Sequence, residues 1–166
     1  NKYIENSFKI AFKILKKNLI QKLINGPISK KNYLGNKYLG ITEYISNKFS
    51  VNKTCMLIYN KKLSVCPITT HLPIKNVTKN ITKQKIIIKS IEIFKFYKNI
   101  LKITPRIAVL GLNPHCETID MHSEEDRIIK PAISYLKNKK IHIYGPFSAD
   151  TFFLKKNIKK YDVVIG

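Results

Sequence analysis

The chain holds 166 residues, 44% of them apolar, with a formal net charge of +21. That length suits one domain or part of a larger protein, and that apolar share excludes an intrinsically disordered chain. No apolar run approaches the roughly 18 residues that span a bilayer, and the opening NKYIENSFKI lacks the apolar core and small-residue end of a secretory signal.

Residues 4 to 24 place Ile4, Phe8, Ala11, Ile14, Leu19 and Leu23 at helical spacing, which predicts an amphipathic helix ended by Gly26 and Pro27. Residues 28 to 50 are polar and punctuated by glycine, with a short helix expected at 42 to 48. TCMLIY and KLSVCPI read as two strands of a hairpin, separated by Asn60 and Lys61. THLPIKNVTKNIT reads as a loop, and Thr82 as the cap of a helix running to about Leu101 with Ile87, Ile91, Phe94 and Tyr97 on one face.

Arg106 to Leu112 predicts a strand. Ser123 followed by Glu124, Glu125 and Asp126 marks the start of a helix to about Asn138, because acidic side chains suit the positive end of the helix dipole. IHIY reads as a strand, SADTFFLKK as a short helix and YDVVI as a strand. From residue 82 onward helix and strand alternate. The alternation predicts an α/β fold, a mostly parallel sheet flanked by helices. Residues 1–50 then form a helical and loop segment of a domain interface or first domain, and 51–166 an α/β domain incomplete at its C-terminal end. With no starting Met and a last strand that nothing follows to cover, the chain reads as a segment of a longer protein.

The positive charge points first to nucleic acid or an anionic surface. Yet Arg occurs only at Arg106 and Arg127, and the lysines are scattered, as in KQK and KNKK. Lys, Asn and Ile are residues of A/T-rich codons, so the lysines read mostly as solvated surface, and a basic nucleic-acid-binding module is the lesser alternative. Cys55, Cys66 and Cys116 are odd in number and form no C-x-x-C pair, against a disulfide framework or a structural zinc site. Cys55 and Cys66 read as small core residues on strands, and a reducing cytoplasm is the expected setting.

Ligands of parallel α/β sheets gather beyond the carboxyl ends of the strands. His71 follows KLSVCPITT and His115 follows RIAVLGLNP, each with a proline within two residues to stiffen the turn. His142 alternates with Ile141 and Ile143 on a strand, and His122 lies in a polar loop; both read as ordinary polar side chains. Two imidazoles at strand ends can share one divalent metal, but a catalytic site usually takes three protein ligands and an open position. Spacing alone leaves metal binding and plain solvent exposure equally open.

GPISK, G-x-TEYIS, TTHLPIKNV, GLNPHCE, I-x-PAI-x-x-L, GPFSADTFF and YDVVIG occur in that order from Gly26 to Gly166. In series they resemble the 4-hydroxythreonine-4-phosphate dehydrogenase family of pyridoxal phosphate biosynthesis. The resemblance implies a two-domain α/β/α dehydrogenase working as a homodimer. It implies oxidation of a small phosphorylated substrate, 4-phosphohydroxy-L-threonine, by NAD (or NADP), followed by decarboxylation of the 3-keto acid formed. It also implies a divalent metal, Zn, Co or Mg, held by three histidines. His71 and His115 match the first two ligands, and the third belongs to a Y-H-D-Q motif just past the family's counterpart of YDVVIG. Asp150 matches an active-site aspartate, against the plainer reading of a helix-start acid. Thr42 matches a substrate-contacting threonine, against a helix cap, and Lys30 is a candidate for phosphate or cofactor beside a plain surface role. The segment alone is expected to be inactive.

Two departures from the family pattern bear on function. Ile41 stands where the family's G-H-T-E has a substrate-binding histidine, which keeps alive a sister activity on D-threonate or D-erythronate 4-phosphate. The family's H-A-G-E loop reads His115, Cys116, Glu117, with a residue deleted and a glycine lost; Glu117 is expected still to align, and Cys116 to pack rather than approach the metal.

Overall fold

The computed structural model describes residues 2–35, 37, 38, 40–116 and 123–166; Glu117 and His122 lie outside the described residues, as does the side chain of Lys30. The chain divides into two units, Asn1–Val51 and Asn52–Gly166.

In the first unit the predicted amphipathic helix is α1 (Lys2–Lys16). It stops well before Gly26 because Asn18 turns left-handed, at φ 54, and its N–H closes onto the Leu15 carbonyl at 3.0 Å. Asparagine tolerates that conformation and serves as a helix terminator. Leu19, expected on the helix face, is exposed instead. Two short helices follow, α2 (Lys30–Tyr33) and α3 (Ile41–Lys48). Phe8 and Phe12 from α1 pack with Leu34 and Tyr44 as a small core. Phe8 stacks on Tyr33 at 5.6 Å and meets Tyr44 edge-on at 5.5 Å, and the two tyrosine hydroxyls lie 3.0 Å apart.

Among the described residues the second unit is built on four strands, β1 (Ser64–Cys66), β2 (Ile107–Leu110), β3 (Ile143–Phe147) and β4 (Val163–Ile165), in the order β1-β4-β2-β3. Every pair is parallel. Between them run α4 (Val77–Asn80), α5 (Lys83–Phe96), α6 (Lys130–Asn138), α7 (Ala149–Phe152) and α8 (Lys155–Ile158). Successive strand residues point to opposite faces. Ile107 and Val109 join a core with Ile86, Ile93 and Leu136 of α5 and α6, whereas Ala108 and Val164 pack with Phe152 and Ile158 of α7 and α8. Both faces are therefore covered, which is why the central strands IAVL and VVI read as unbroken apolar runs.

Local chemistry sets the helix ends. Thr82 Oγ1 accepts the Lys85 N–H at 3.2 Å to start α5, which widens into a π turn over Tyr97–Leu101 and ends at Lys102, φ 60. The Tyr97 hydroxyl donates to Ser64 Oγ at 2.8 Å and so ties that helix end to the start of β1. Ser123 Oγ accepts the Asp126 N–H at 3.2 Å, and a second π turn, Glu125–Ile129, leads into α6. Pro131 lies in the first turn of α6. Its ring would crowd the carbonyl of Arg127 in a regular helix, and the wider turn relieves that clash.

Several expectations are revised. The TCMLIY strand is reduced to one antiparallel bridge, Ile58 to Val65, so Cys55 is on no strand. Cys55 and Leu57 pack against the core as side chains, but Ile58 and Tyr59 are exposed and the backbone makes no further ladder among the described residues. The loop after His71 contains a 3-10 turn, Ile74–Asn76, and then α4; runs this short carry no readable periodicity. SADTFFLKK is split into α7 and α8 at Phe153 and Leu154. The third strand starts at Ile143 rather than Ile141 and bulges against β2 between Ala108 and Leu110. Gly145 permits that bulge, since a Cβ there would lie 2.3 Å from the Val109 carbonyl oxygen.

Candidate functional site

The sheet's C-terminal edge gathers the candidate residues of the second unit. Beyond β1 the ladder runs on, with Gly166 N–H donating to the Cys66 carbonyl at 3.2 Å and Ile68 N–H donating to the Gly166 carbonyl at 2.7 Å. The chain then leaves the sheet through Thr69 and Thr70 to His71, which is exposed and left-handed at φ 58. A non-glycine residue in that region is uncommon, though His is enriched there, and such outliers gather at functional sites. A cleft of about 320 Å³ opens beside the turn, lined among others by Thr69, Thr70, Leu72, Lys85 and Lys89.

Beyond β2, Gly111 N–H donates to the Phe147 carbonyl at 2.9 Å, and the turn Leu112–Asn113–Pro114 carries the exposed His115. This turn is closely built. Asn113 Oδ1 accepts the His115 N–H at 3.0 Å, and the Asn113 carbonyl accepts the Cys116 N–H at 3.1 Å. Cys116 is left-handed at φ 55, the conformation a glycine would take most easily and one the sequence fills with cysteine. Its thiol packs against the turn, 3.7 Å from the Asn113 carbonyl oxygen, and burial pushes its pKa up.

Beneath the turn lies Glu125, only 1% exposed, whose Oε1 accepts the Asn113 N–H at 2.7 Å. Reading the Glu124–Glu125–Asp126 run as helix-start acids missed it. The signal was present: Glu125 shares a helical stripe with Ile129, Ala132 and Leu136, all buried, and so falls on the core side.

Beyond β3, Ser148 precedes α7, and Asp150 is exposed in that helix's first turn. His71, His115 and Asp150 thus follow the C-terminal ends of three strands of one sheet, β1, β2 and β3. β4 lies between β1 and β2, with Gly166 at its end. Neighbouring strands are about 4.8 Å apart, so the two histidine-bearing strands are separated by about 10 Å. Among the described residues, no group of three or more His, Cys, Asp or Glu is clustered to hold a metal. His71 and His115 are two exposed imidazoles at one rim, the type of donor that a borderline divalent ion accepts.

The remaining candidates belong to the first unit. Thr42 is the second residue of α3 and half-buried; Gly40, not Thr42, is the N-cap, so the capping role does not hold. Lys30 opens α2. His142 is exposed and lies just before β3 rather than on it; its carbonyl accepts the Ile107 N–H at 2.8 Å. Cys55 and Cys66 are free thiols with sulfurs 3.5 Å apart. The hydrogen bond with Cys66 holds the Cys55 thiol below its ordinary pKa, while that contact and full burial push Cys66 up. No helix among the described residues is long and apolar enough to cross a membrane.

A doubly covered parallel sheet with polar turns collected at its strand ends defines an α/β domain of the ligand-at-the-strand-tips class. The profile of the family described as pyridoxal phosphate biosynthetic protein PdxA matches residues 1–166, and the chain belongs to that family. It is 38% identical over 168 residues to a 4-hydroxythreonine-4-phosphate dehydrogenase of Sulfurihydrogenibium sp. (strain YO3AOP1), covering 99% of this chain and 50% of the relative. It is 30% identical over 150 residues to a D-threonate 4-phosphate dehydrogenase of Salmonella typhimurium, covering 89% and 46%. The crystal structure of the Klebsiella pneumoniae 4-hydroxythreonine-4-phosphate dehydrogenase superposes with a TM-score of 0.73 at 29% identity, over 85% of this chain and 44% of that one. The chain spans about half the length of the curated relatives it matches.

Proposed function

We propose that the full-length protein oxidises 4-phosphohydroxy-L-threonine with NAD, with decarboxylation, in pyridoxal 5'-phosphate biosynthesis, and that it depends on a divalent metal. The observation that carries this reading is that His71 and His115 leave the ends of β1 and β2 on either side of β4, at one rim of one sheet. Two imidazoles offered across that gap supply neutral nitrogen donors and leave a bound cation most of its charge. The third donor is assigned to a histidine past Gly166. When bound, the metal supplies Lewis acidity that lowers the pKa of the substrate hydroxyl, and NAD supplies the hydride acceptor.

The chain's own residues orient and exchange protons. The Asn113 bond and Pro114 fix the turn that holds His115, and Asp150 offers carboxyl oxygens at the same rim for the proton released from the hydroxyl. Thr42 and Lys30 are assigned to the substrate and its phosphate, and the protein to a homodimer.

The test is NADH formation by the full-length protein on 4-phosphohydroxy-L-threonine, before and after chelation and after adding back zinc, cobalt or magnesium. Turnover that chelation abolishes and metal restores is expected; turnover indifferent to chelation refutes the reading. A second activity, on D-threonate 4-phosphate, is favoured by one observation. Ile41 cannot donate the hydrogen bond of the histidine that the resemblance places there. A higher kcat/KM on D-threonate 4-phosphate would select it.

A further inference from the structure

We propose that Glu125 is the positioning residue of His115, acting through Asn113. The inference rests on the reading of His115 as a metal ligand. A carboxyl group that is 1% exposed must be held by hydrogen bonds, because burial without them is costly. The described bond of Glu125 goes not to its own helix but across to the turn, where Oε1 accepts the Asn113 N–H at 2.7 Å. Asn113 relays the constraint, since its Oδ1 accepts the His115 N–H at 3.0 Å. Gly111 keeps the approach open, for a Cβ there would come within 3.1 Å of Glu125 Oε1. The π turn over Glu125–Ile129 belongs to the same arrangement, widening the helix where the carboxyl group leaves it. The backbone of His115 is therefore pinned from the core, while its ring is left to the solvent side.

Partners that orient a metal-binding histidine typically change metal affinity by about 10–100-fold when removed. The experiment titrates cobalt(II) into the full-length protein and follows the cobalt absorption band, without substrate or turnover. Glu125→Ala is expected to weaken cobalt binding by about 10-fold or more. Glu125→Gln keeps a carbonyl acceptor and is expected to stay close to wild type. In a His115→Ala background, adding Glu125→Ala should cost nothing further, a result that general loosening of the fold would not produce. If Glu125→Ala folds poorly by circular dichroism, Asn113→Ala cuts the same relay from the loop side and should give the same loss. Wild-type affinity in Glu125→Ala or Asn113→Ala, or an undiminished loss in the His115→Ala background, overturns the proposal while the metal site stands. Unchanged cobalt affinity in His115→Ala itself removes the metal-ligand reading, and this proposal with it.

Discussion

Replacing Gly111 by alanine puts a methyl group where the His115 turn has no room. The new Cβ would lie 2.3 Å from Cys116 Sγ, 3.1 Å from Glu125 Oε1 and 3.3 Å from the Asn113 carbonyl oxygen. A relaxed carbon contact is about 3.5–4.0 Å, so the sulfur must retreat by about 1 Å or more. Overpacking of that kind costs about 1–3 kcal/mol. A displacement of about 1 Å in a positioning turn lowers activity on the order of 100-fold. Removing the sulfur distinguishes a steric cause from any other. With Cys116→Ala added, the shortest contact vanishes and the other two, both above 3.0 Å, need shifts of only a few tenths of an ångström. Urea unfolding of the full-length protein reads the result. Gly111→Ala should lower the midpoint at unchanged slope, by about 2 kcal/mol, and the double variant should recover most of it. A Gly111→Ala protein that unfolds at the wild-type midpoint, or a double variant no better than the single, refutes the crowding argument.

Two further outcomes follow from the titrating groups. Burial and the Tyr33 hydroxyl raise Tyr44 from the ordinary 10.0 to about 12. The folded chain therefore holds a proton that the unfolded chain releases near pH 10. Stability from this group is whole below about pH 10 and lost as pH rises through about 12. Melting curves across this range should fall more steeply for wild type than for Tyr44→Phe, and parallel curves would contradict it. Cys55, whose thiolate is favoured by Cys66, should react with iodoacetamide before the fully buried Cys66, as read by peptide mass spectrometry. Modification of Cys66 first would reverse the assignment.

Much of this architecture could be read from residue order where local chemistry and packing agree. Thr82 caps α5 in the way its position announced, Ser123 begins the next helix, and the alternation after residue 82 yields the parallel sheet. Where local pattern and tertiary context part, the reading failed. Leu19 and Leu23 kept helical spacing, but Asn18 had already turned the chain. TCMLIY had strand composition, and Cys55 and Leu57 do pack inward, but its backbone meets the sheet at one bridge alone among the described residues. Neither π turn has a periodicity that a residue pattern shows. The rim histidines were legible because proline and strand ends flag them. Glu125 was flagged only by its helical stripe with Ile129, Ala132 and Leu136, a signal overridden because an acid after a capping serine is usually satisfied by the helix start itself.

Ser64 pairs with Val163 and Ile107 pairs with Val163 as well, so β4 is the seam that joins β1 to β2. As the chain emerges from the ribosome, β1 and β2 must wait for the strand made after both, with open edges and a long loop to close. Nascent chains halted before Val163 would carry unpaired strand edges of the kind that chaperones hold and aggregates recruit.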